Sequence, residues 1–275
     1  MMKVAITGST GLVGSRIVEL LKDSFTFIPL TQDHVDITDH KAVSHVLSKI
    51  DFDIFLHLAA YTAVDKAETE KEIAWKINVE GTRNVFEETR KKEKHFVLFS
   101  TDFVFDGVNP PFVEDSLPNP LGQYAYTKRE AEKIVENEAM LIRISYPYRK
   151  NFEPKRDLFQ TLLHLIESGK TLTMIEDASI TPTFIDDIAV ATEHLLKNFN
   201  SSIYHIVGSK SVSPLQLALE IADTYALSKK QIMPISFAEY SKGKAPRSQY
   251  SIIKSTKNTF HPMKPYDEGL RIITS

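Results

Sequence analysis

The chain contains no cysteine. That excludes disulfides, thiolate metal sites and thiol nucleophiles, and it suits a reducing compartment. Glycine is scarce too, with 10 in 275 residues, so any local concentration of it is informative. No apolar run approaches the roughly 20 residues that span a bilayer. The N-terminus enters an apolar run without a basic lead or a small-residue cleavage site, so no signal peptide is expected. Long basic stretches are missing and the net charge is −3, which denies nucleic acid or an anionic membrane its electrostatic footprint. Lys91, Lys92 and Lys94 read as a solvated helix end. The expectation is a soluble cytoplasmic protein.

What is present is ordinary in bulk: 42% apolar and 25% charged residues, enough chain for one large domain or two small ones. The first half alternates β-type runs (3–7, 25–30, 53–57, 95–100, 140–145) with helical patterns (12–22, 39–49, 72–92, and from the Pro118-Asn-Pro120 breaker to about 138). Strict alternation predicts an α/β fold, a Rossmann-type doubly wound parallel sheet, with ligands beyond the carboxyl ends of its strands. Gly8, Thr31, Ala59, Ser100 and Ser145 fall at those ends. Beyond residue 146 the regularity breaks. A basic loop over 147–156 precedes strands and helices at irregular spacing, read as extra sheet edge plus a smaller C-terminal lobe. The expected division is 1–146 as the dinucleotide-binding domain and 147–275 as the segment that completes the sheet and forms the lobe.

Three of the ten glycines lie within seven residues. Thr7-Gly-Ser-Thr-Gly-Leu-Val-Gly14 follows the first strand and opens the first helix. Glycine serves where backbone must turn tightly against a pyrophosphate, whose charge then rests on the helix N-terminus. This predicts NADP or NAD as cofactor. An acidic residue that would hold an NAD ribose is expected near the end of the second strand, but Thr31-Gln32 stands there. NADP is therefore tolerated and favoured, with Arg16 as the candidate partner for a 2′-phosphate.

Tyr124 and Lys128 are four residues apart, one helical turn, so they share a face. An ammonium ~5 Å from a phenol favours the phenolate by roughly 3 kcal/mol at an effective dielectric near 20, about two pKa units. That would bring the tyrosine toward useful proton transfer. Tyr126 lies off this face and reads as packing. His57 reads as a core histidine at a strand end. Asp33, His34, Asp36, Asp39 and His40 have the residue types of a metal site, but capping and loop solvation explain them, and no metal is expected.

The segment His57-Leu-Ala-Ala-Tyr-Thr-Ala-Val-Asp-Lys-Ala-Glu68, with Ile77-Asn-Val-Glu-Gly81, Ser100-Thr-Asp-Phe-Val-Phe-Asp-Gly107 and the Tyr124/Lys128 pair, closely resembles the dTDP-4-dehydrorhamnose reductases of the extended short-chain dehydrogenase/reductase superfamily. The resemblance continues through residues 141–145, 181–187, 203–206 and 247–257. It implies reduction of the C4 ketone of dTDP-4-dehydrorhamnose to dTDP-L-rhamnose by NAD(P)H. Tyr124 would be the proton donor, Lys128 its tuner and the holder of the nicotinamide ribose, and Thr101 a hydrogen-bond donor to the substrate carbonyl, with Ser100 close to the nicotinamide. The cofactor would lie against Gly8, Thr10, Gly11, Leu12, Val13 and Gly14, with Asp36 and Ile37 near the adenine. Leu58, Ala59, Ala60, Tyr61 and Asn78 would line the rest of its cleft. Val64, Thr101, Phe103, Tyr146 and Arg247 would face a nucleotide-sugar substrate. The resemblance also allows a homodimer.

The departures lie on the substrate side. The family's tryptophan after Arg-x-Ser is Tyr146 here, and its glycine after the next tyrosine, Tyr148, is Arg149. The family's Arg-Pro and Leu-Asp are Arg247-Ser248 and Ile253-Lys254. Arg149, Lys150, Lys155 and Arg156 form either a diphosphate-holding set or a solvated basic loop. Two other readings stay open: a nucleotide-sugar epimerase or dehydratase of the same superfamily, and a non-catalytic module like the regulatory subunit of methionine adenosyltransferase.

Overall fold

The computed structural model describes residues 1–150 and 152–274. Short apolar runs alternate with amphipathic helices through its first half. β1 (Lys3–Thr7) leads into α1 (Leu12–Leu21), β2 (Thr26–Leu30) into α2 (His40–Lys49), and β3 (Ile54–His57) into α3 (Val64–Ala67) and α4 (Lys71–Trp75). A π-helical turn over Lys76–Glu80 joins α4 to α5 (Gly81–Lys91). β4 (His95–Thr101) then enters a 3-10 turn (Asp102–Val104) and α6 (Gln123–Val135), and β5 (Met140–Ile144) follows. The second half holds β6 (Pro147–Tyr148), α7 (Leu158–Glu167), β7 (Leu172–Ile175), β8 (Thr183–Phe184), α8 (Ile185–Lys197), β9 (Ile203–His205), α9 (Pro214–Thr224), β10 (Ile232–Ile235), α10 (Phe237–Tyr240) and α11 (Tyr266–Thr274).

The main sheet has the order β2-β1-β3-β4-β5-β9 and every pairing is parallel. Because strand side chains alternate, each strand feeds two cores. Val4, Ile6, Leu56, Val97 and Ile142 pack with Ile17 and Leu21 of α1 and Ile188 and Leu195 of α8. Ala5, Phe55, Leu98 and Leu141 face the other way, onto Val43 and Leu47 of α2, Val85 and Phe86 of α5, and Ala131 and Val135 of α6. A third core, around Tyr148, Phe159, Leu217 and Leu270, builds the C-terminal lobe.

The Rossmann-type sheet matches the sequence expectation, and the extra edge strand is β9. The helix expected over 72–92 is instead broken by the π turn, which shifts the register of the side chains that follow it. The helix expected to run to about 138 ends at Val135, and Asn137 behind it adopts φ +68. The expected loop over 147–156 contains one residue, Asn151, outside the described residues; Pro147 and Tyr148 pair with β8 instead of looping.

Candidate active site

The glycine turn is shaped by contacts that leave no space for side chains. Gly8 has φ +71, and a Cβ there would meet Ala59 N and Leu58 C at 2.8 Å. A Cβ on Gly14 would collide with the Gly8 carbonyl. Gly11 caps α1, its N–H donating to Gly8 O at 3.0 Å, and no side chain caps the helix. The first turn, with Leu12 and Val13 beside Thr10, carries no acidic residue. Ser9 Oγ is buried without a hydrogen-bond partner. Open amides, a spare hydroxyl and backbone shaved of Cβ atoms fit the pyrophosphate of a dinucleotide.

After β2, Asp36 Oδ1 accepts from Thr38 N at 2.9 Å and Thr38 Oγ1 at 2.8 Å, and Asp39 caps α2. Ile37 packs into the space left by Gly81, and Asn84 Nδ2 donates to its carbonyl at 2.9 Å. His34 bonds to Thr31, while His40 reaches Glu88. These acidic and histidine side chains are thus dispersed into caps and turns. Among the described residues, no three or more His, Cys, Asp or Glu side chains gather as a metal site. Arg16 corrects an expectation. Its Nε and Nη2 are each 2.7 Å from the two oxygens of Asp186, and its Nη1 is 2.7 Å from Glu19. It clamps α1 to α8 and is not directed at a 2′-phosphate.

The segment after β3 (Leu58, Ala59, Ala60, Tyr61) is held by the π turn. Asn78 Oδ1 accepts from Tyr61 N at 2.8 Å, while its Nδ2 donates to Tyr61 O at 3.2 Å and to Thr127 Oγ1 at 2.9 Å. Thr127 in turn donates to the carbonyl of Tyr124. Asn78 is therefore a satisfied buried amide that ties the cleft wall to the helix bearing Tyr124 and Lys128. A π turn inserts one residue into the α-helical register, which is what aims Asn78 sideways at α6. His57 is a core histidine as expected, bonded to Thr7 and Thr82, with burial lowering its pKa to about 3.

Tyr124, Lys128, Ser100 and Thr101 come together where β4 ends under α6. The Tyr124 phenol lies beside Thr101, whose Oγ1 donates to Asp102 Oδ1 at 3.1 Å and accepts from Phe103 N at 3.2 Å. Lys128 Nζ is buried and donates to Phe99 O at 2.8 Å. Burial lowers the Lys128 pKa to about 8, with Glu132 opposing. The Tyr124 phenol departs from the spacing-based expectation. Burial pushes its pKa up, the neighbouring Thr101 hydroxyl pulls it down, and the Asp102 charge raises it. Lys128 is turned to the Phe99 carbonyl, and desolvation outweighs its attraction for a phenolate. Ser100 Oγ lies near the Glu132 carboxylate, which it helps to keep ionised, but without good hydrogen-bond geometry.

Asp102 was visible in the sequence as part of Ser100-Thr-Asp, yet its surroundings were not. It accepts from Ser145 Oγ at 2.9 Å and from Ser251 Oγ, and burial raises its pKa. Those bonds tie β4 to β5 and to the segment near the C-terminus. Phe103 meets Tyr124 edge to face at 5.6 Å and Tyr146 at 6.2 Å, and Val64 packs in the same cluster. Tyr146 takes φ +40, outside the range non-glycine residues ordinarily occupy. Arg247 also reaches this corner, bonded to Asp65 of α3 and to Ala245 O. Lys150, Lys155 and Arg156 are exposed, as a solvated loop would be, but Arg149 is not. Arg149 is buried, reaching Ser15 Oγ at 3.2 Å and Glu19 at 3.1 Å, and Lys155 reaches Thr62 Oγ1 at 3.0 Å. Tyr126 stacks on Trp75 while remaining partly exposed.

Comparison with known proteins follows the same lines. The family model described as RmlD substrate binding domain matches residues 2–273. The spore coat polysaccharide biosynthesis protein SpsK of Bacillus subtilis is 30% identical over 92% of this chain and 89% of its own length. Methionine adenosyltransferase 2 subunit beta of Bos taurus is 27% identical over 90% of this chain and 79% of its own. Among solved structures, a dTDP-4-dehydrorhamnose reductase from Bacillus anthracis, in complex with NADP, superposes with a TM-score of 0.92 at 29% identity, covering 100% of this chain and 99% of that one.

Proposed function

The chain belongs to the RmlD substrate-binding domain family, and on that premise we propose that it is an NAD(P)H-dependent reductase of a nucleotide-linked 4-keto-6-deoxy sugar, with dTDP-4-dehydrorhamnose as substrate and dTDP-L-rhamnose as product. The observation that carries this reading is the buried Tyr124 phenol beside Thr101 at the end of β4, one helical turn before the buried Lys128 ammonium. A phenol is protonated at neutral pH with or without that burial, so Tyr124 carries the proton that a donor to the ketone oxygen needs.

A bound reduced nicotinamide supplies the hydride. The protein contributes the rest. The amides at the start of α1, with Ser9, hold the pyrophosphate. Leu58 to Tyr61, fixed by Asn78, wall the cleft, while Asp36 and Ile37 lie at the adenine end. The Thr101 hydroxyl and the Tyr124 phenol point at the ketone oxygen where negative charge develops, and Tyr124 delivers its proton there. Lys128 holds the nicotinamide ribose and offsets the charge left on the phenol. Val64, Phe103 and Tyr146 pack the sugar and Arg247 takes a polar group of the nucleotide. Residues 1–146 act as the dinucleotide domain and 147–275 complete the sheet and cover the sugar, in a cytoplasmic enzyme.

The test is NADPH and NADH oxidation with dTDP-4-dehydrorhamnose and related 4-keto-6-deoxy sugars. Turnover is expected, and Tyr124→Phe should reduce kcat by about 10²–10⁴. No oxidation with any of these ketones refutes the assignment. The match to the methionine adenosyltransferase subunit sustains a second reading, a binding module without chemistry. It would show as wild-type physiological activity in Tyr124→Phe.

A further inference from the structure

Behind the Tyr124–Lys128 face runs a row of buried charges that touches neither substrate nor cofactor in the reading above. Glu132 lies one helical turn beyond Lys128 on α6 and is wholly buried. Arg143, on the adjacent strand β5 and 1% exposed, grips it with both arms of its guanidinium: Nε to Oε1 at 2.9 Å and Nη2 to Oε2 at 2.8 Å. Arg129 adds Nη1 to Oε2 at 3.2 Å. The far side of Arg143 lies over the Phe105 ring and beside His205, whose pKa burial lowers to about 4, so that imidazole is neutral. Two arginines and one lysine therefore lie around a single buried carboxylate, Arg129 at the edge where it also pairs with Glu136.

A buried ion pair of this kind contributes little stability by itself, because desolvation offsets its attraction. Apolar residues of similar size would fill the same space. Its placement one turn from the lysine gives it another use. We infer that Glu132, locked in place by Arg143, is a positioning residue whose carboxylate is the counter-charge that keeps the Lys128 ammonium protonated and seated on the Phe99 carbonyl. Arg143 is needed because a lone buried carboxylate would take up a proton and lose its charge.

The groups facing Lys128 leave no other carboxylate in that role. From β3 comes His57, neutral through burial. From β4 comes the Phe99 carbonyl and, beyond its end, Asp102, whose carboxylate oxygens accept from Thr101, Ser145 and Ser251. From β5 comes Arg143, whose guanidinium is turned to Glu132. From α6 itself come the Tyr124 phenol, Arg129 and Glu132. Burial already lowers Lys128 to about 8, and Glu132 is the group that raises it against that. A carboxylate about 6 Å from an ammonium at an effective dielectric near 20 is worth about two pKa units.

The kinetic consequence rests on the reductase reading; the titration of Lys128 does not. In Glu132→Gln, the alkaline limb of kcat/KM for NADPH-dependent reduction should move down by about one to two pH units from the wild-type limb near pH 8. Glu132→Asp should keep the limb in place even if the protein is less stable. The same shift should appear without substrate or cofactor, in the NMR titration of the Lys128 side chain, assigned by its loss in Lys128→Met. If Glu132→Gln does not fold, the pair Glu132→Met with Arg143→Met restores the packing, and its limb should still move down by a smaller amount. A limb and a Lys128 titration unmoved in Glu132→Gln, or in the double methionine variant where Glu132→Gln does not fold, would make the ion pair purely structural and overturn the inference. If the wild type turns over no sugar ketone, the reductase reading fails and the NMR titration alone decides the role of Glu132.

Discussion

Replacing Asn78 with leucine perturbs the cleft wall at a single point. The side chains are nearly equal in volume, so packing changes little, while three hydrogen bonds of 2.8, 3.2 and 2.9 Å vanish together. Asn78 is 1% exposed, so water cannot take its place without rearrangement. A net hydrogen bond is worth about 1 kcal/mol, and a stranded buried donor costs about 1–3 kcal/mol. The Tyr61 N–H would be that donor; Thr127 still has the Tyr124 carbonyl. The expected loss is about 3 kcal/mol, near a hundredfold in the unfolding constant. Urea unfolding with an unchanged m-value would read it directly. Because residues 59–61 lose their tether to α6, NADPH binding measured by fluorescence titration should weaken at least tenfold. A variant within 1 kcal/mol of wild type that binds NADPH equally well would refute the reasoning, since the wall would then be held by its other contacts.

Gly14→Ala places a methyl against the Gly8 carbonyl, backbone that cannot yield without displacing the turn; NADPH affinity should drop by more than a hundredfold while the far-UV spectrum is retained, and near-normal binding would contradict the close approach. Thr31→Asp restores a carboxylate at the end of β2, and the ratio of kcat/KM for NADPH over NADH should fall by tenfold or more; an unchanged ratio would move the ribose away from this strand end. His57 and His205 have folded-state pKa values lowered by burial to about 3 and about 4 from 6.5. Their contribution is fully present above pH 6.5 and is lost as pH falls through that window, by up to 1.4 kcal/mol per pH unit for each. Thermal unfolding should therefore drop between pH 6.5 and 5, ahead of the carboxylates, and a flat midpoint there would show that neither imidazole is held neutral.

The sheet and its ligand edge were legible because strand-helix alternation and a three-glycine turn are local signals. The spacing of Tyr124 and Lys128 also survived, since one helical turn fixes which side chains share a face. The direction of the phenol's pKa did not survive, because desolvation depends on everything packed above α6 and not on the four-residue interval. Arg16 and Arg149 show the same limit. Each is a basic residue near a phosphate turn, but their partners, Asp186 for one and Ser15 and Glu19 for the other, lie 170 and more than 100 residues away. The π turn at Asn78 left only a faint trace, an asparagine in an otherwise helical stretch. Glu132 had a detectable signal, standing four residues past Lys128; Arg143, which makes it functional, is supplied by the next strand.

The sheet is finished late. α8, which covers α1, and β9, which shields the edge of β5, both come from beyond residue 184, after most of the lobe's α7 and β7 has intervened. A chain emerging from the ribosome has all of β1 through β5 in hand long before either arrives. Until then β5 presents an unpaired strand edge and the Ile17 face of α1 is uncovered, the kind of surface that recruits other chains. Synthesis of this protein therefore includes an interval, at about 5–20 residues per second, during which a half-built nucleotide fold must be kept apart from its neighbours. Truncation near residue 146 would make that interval permanent, so residues 1–146 are a poor candidate for expression alone even though their glycine turn is complete.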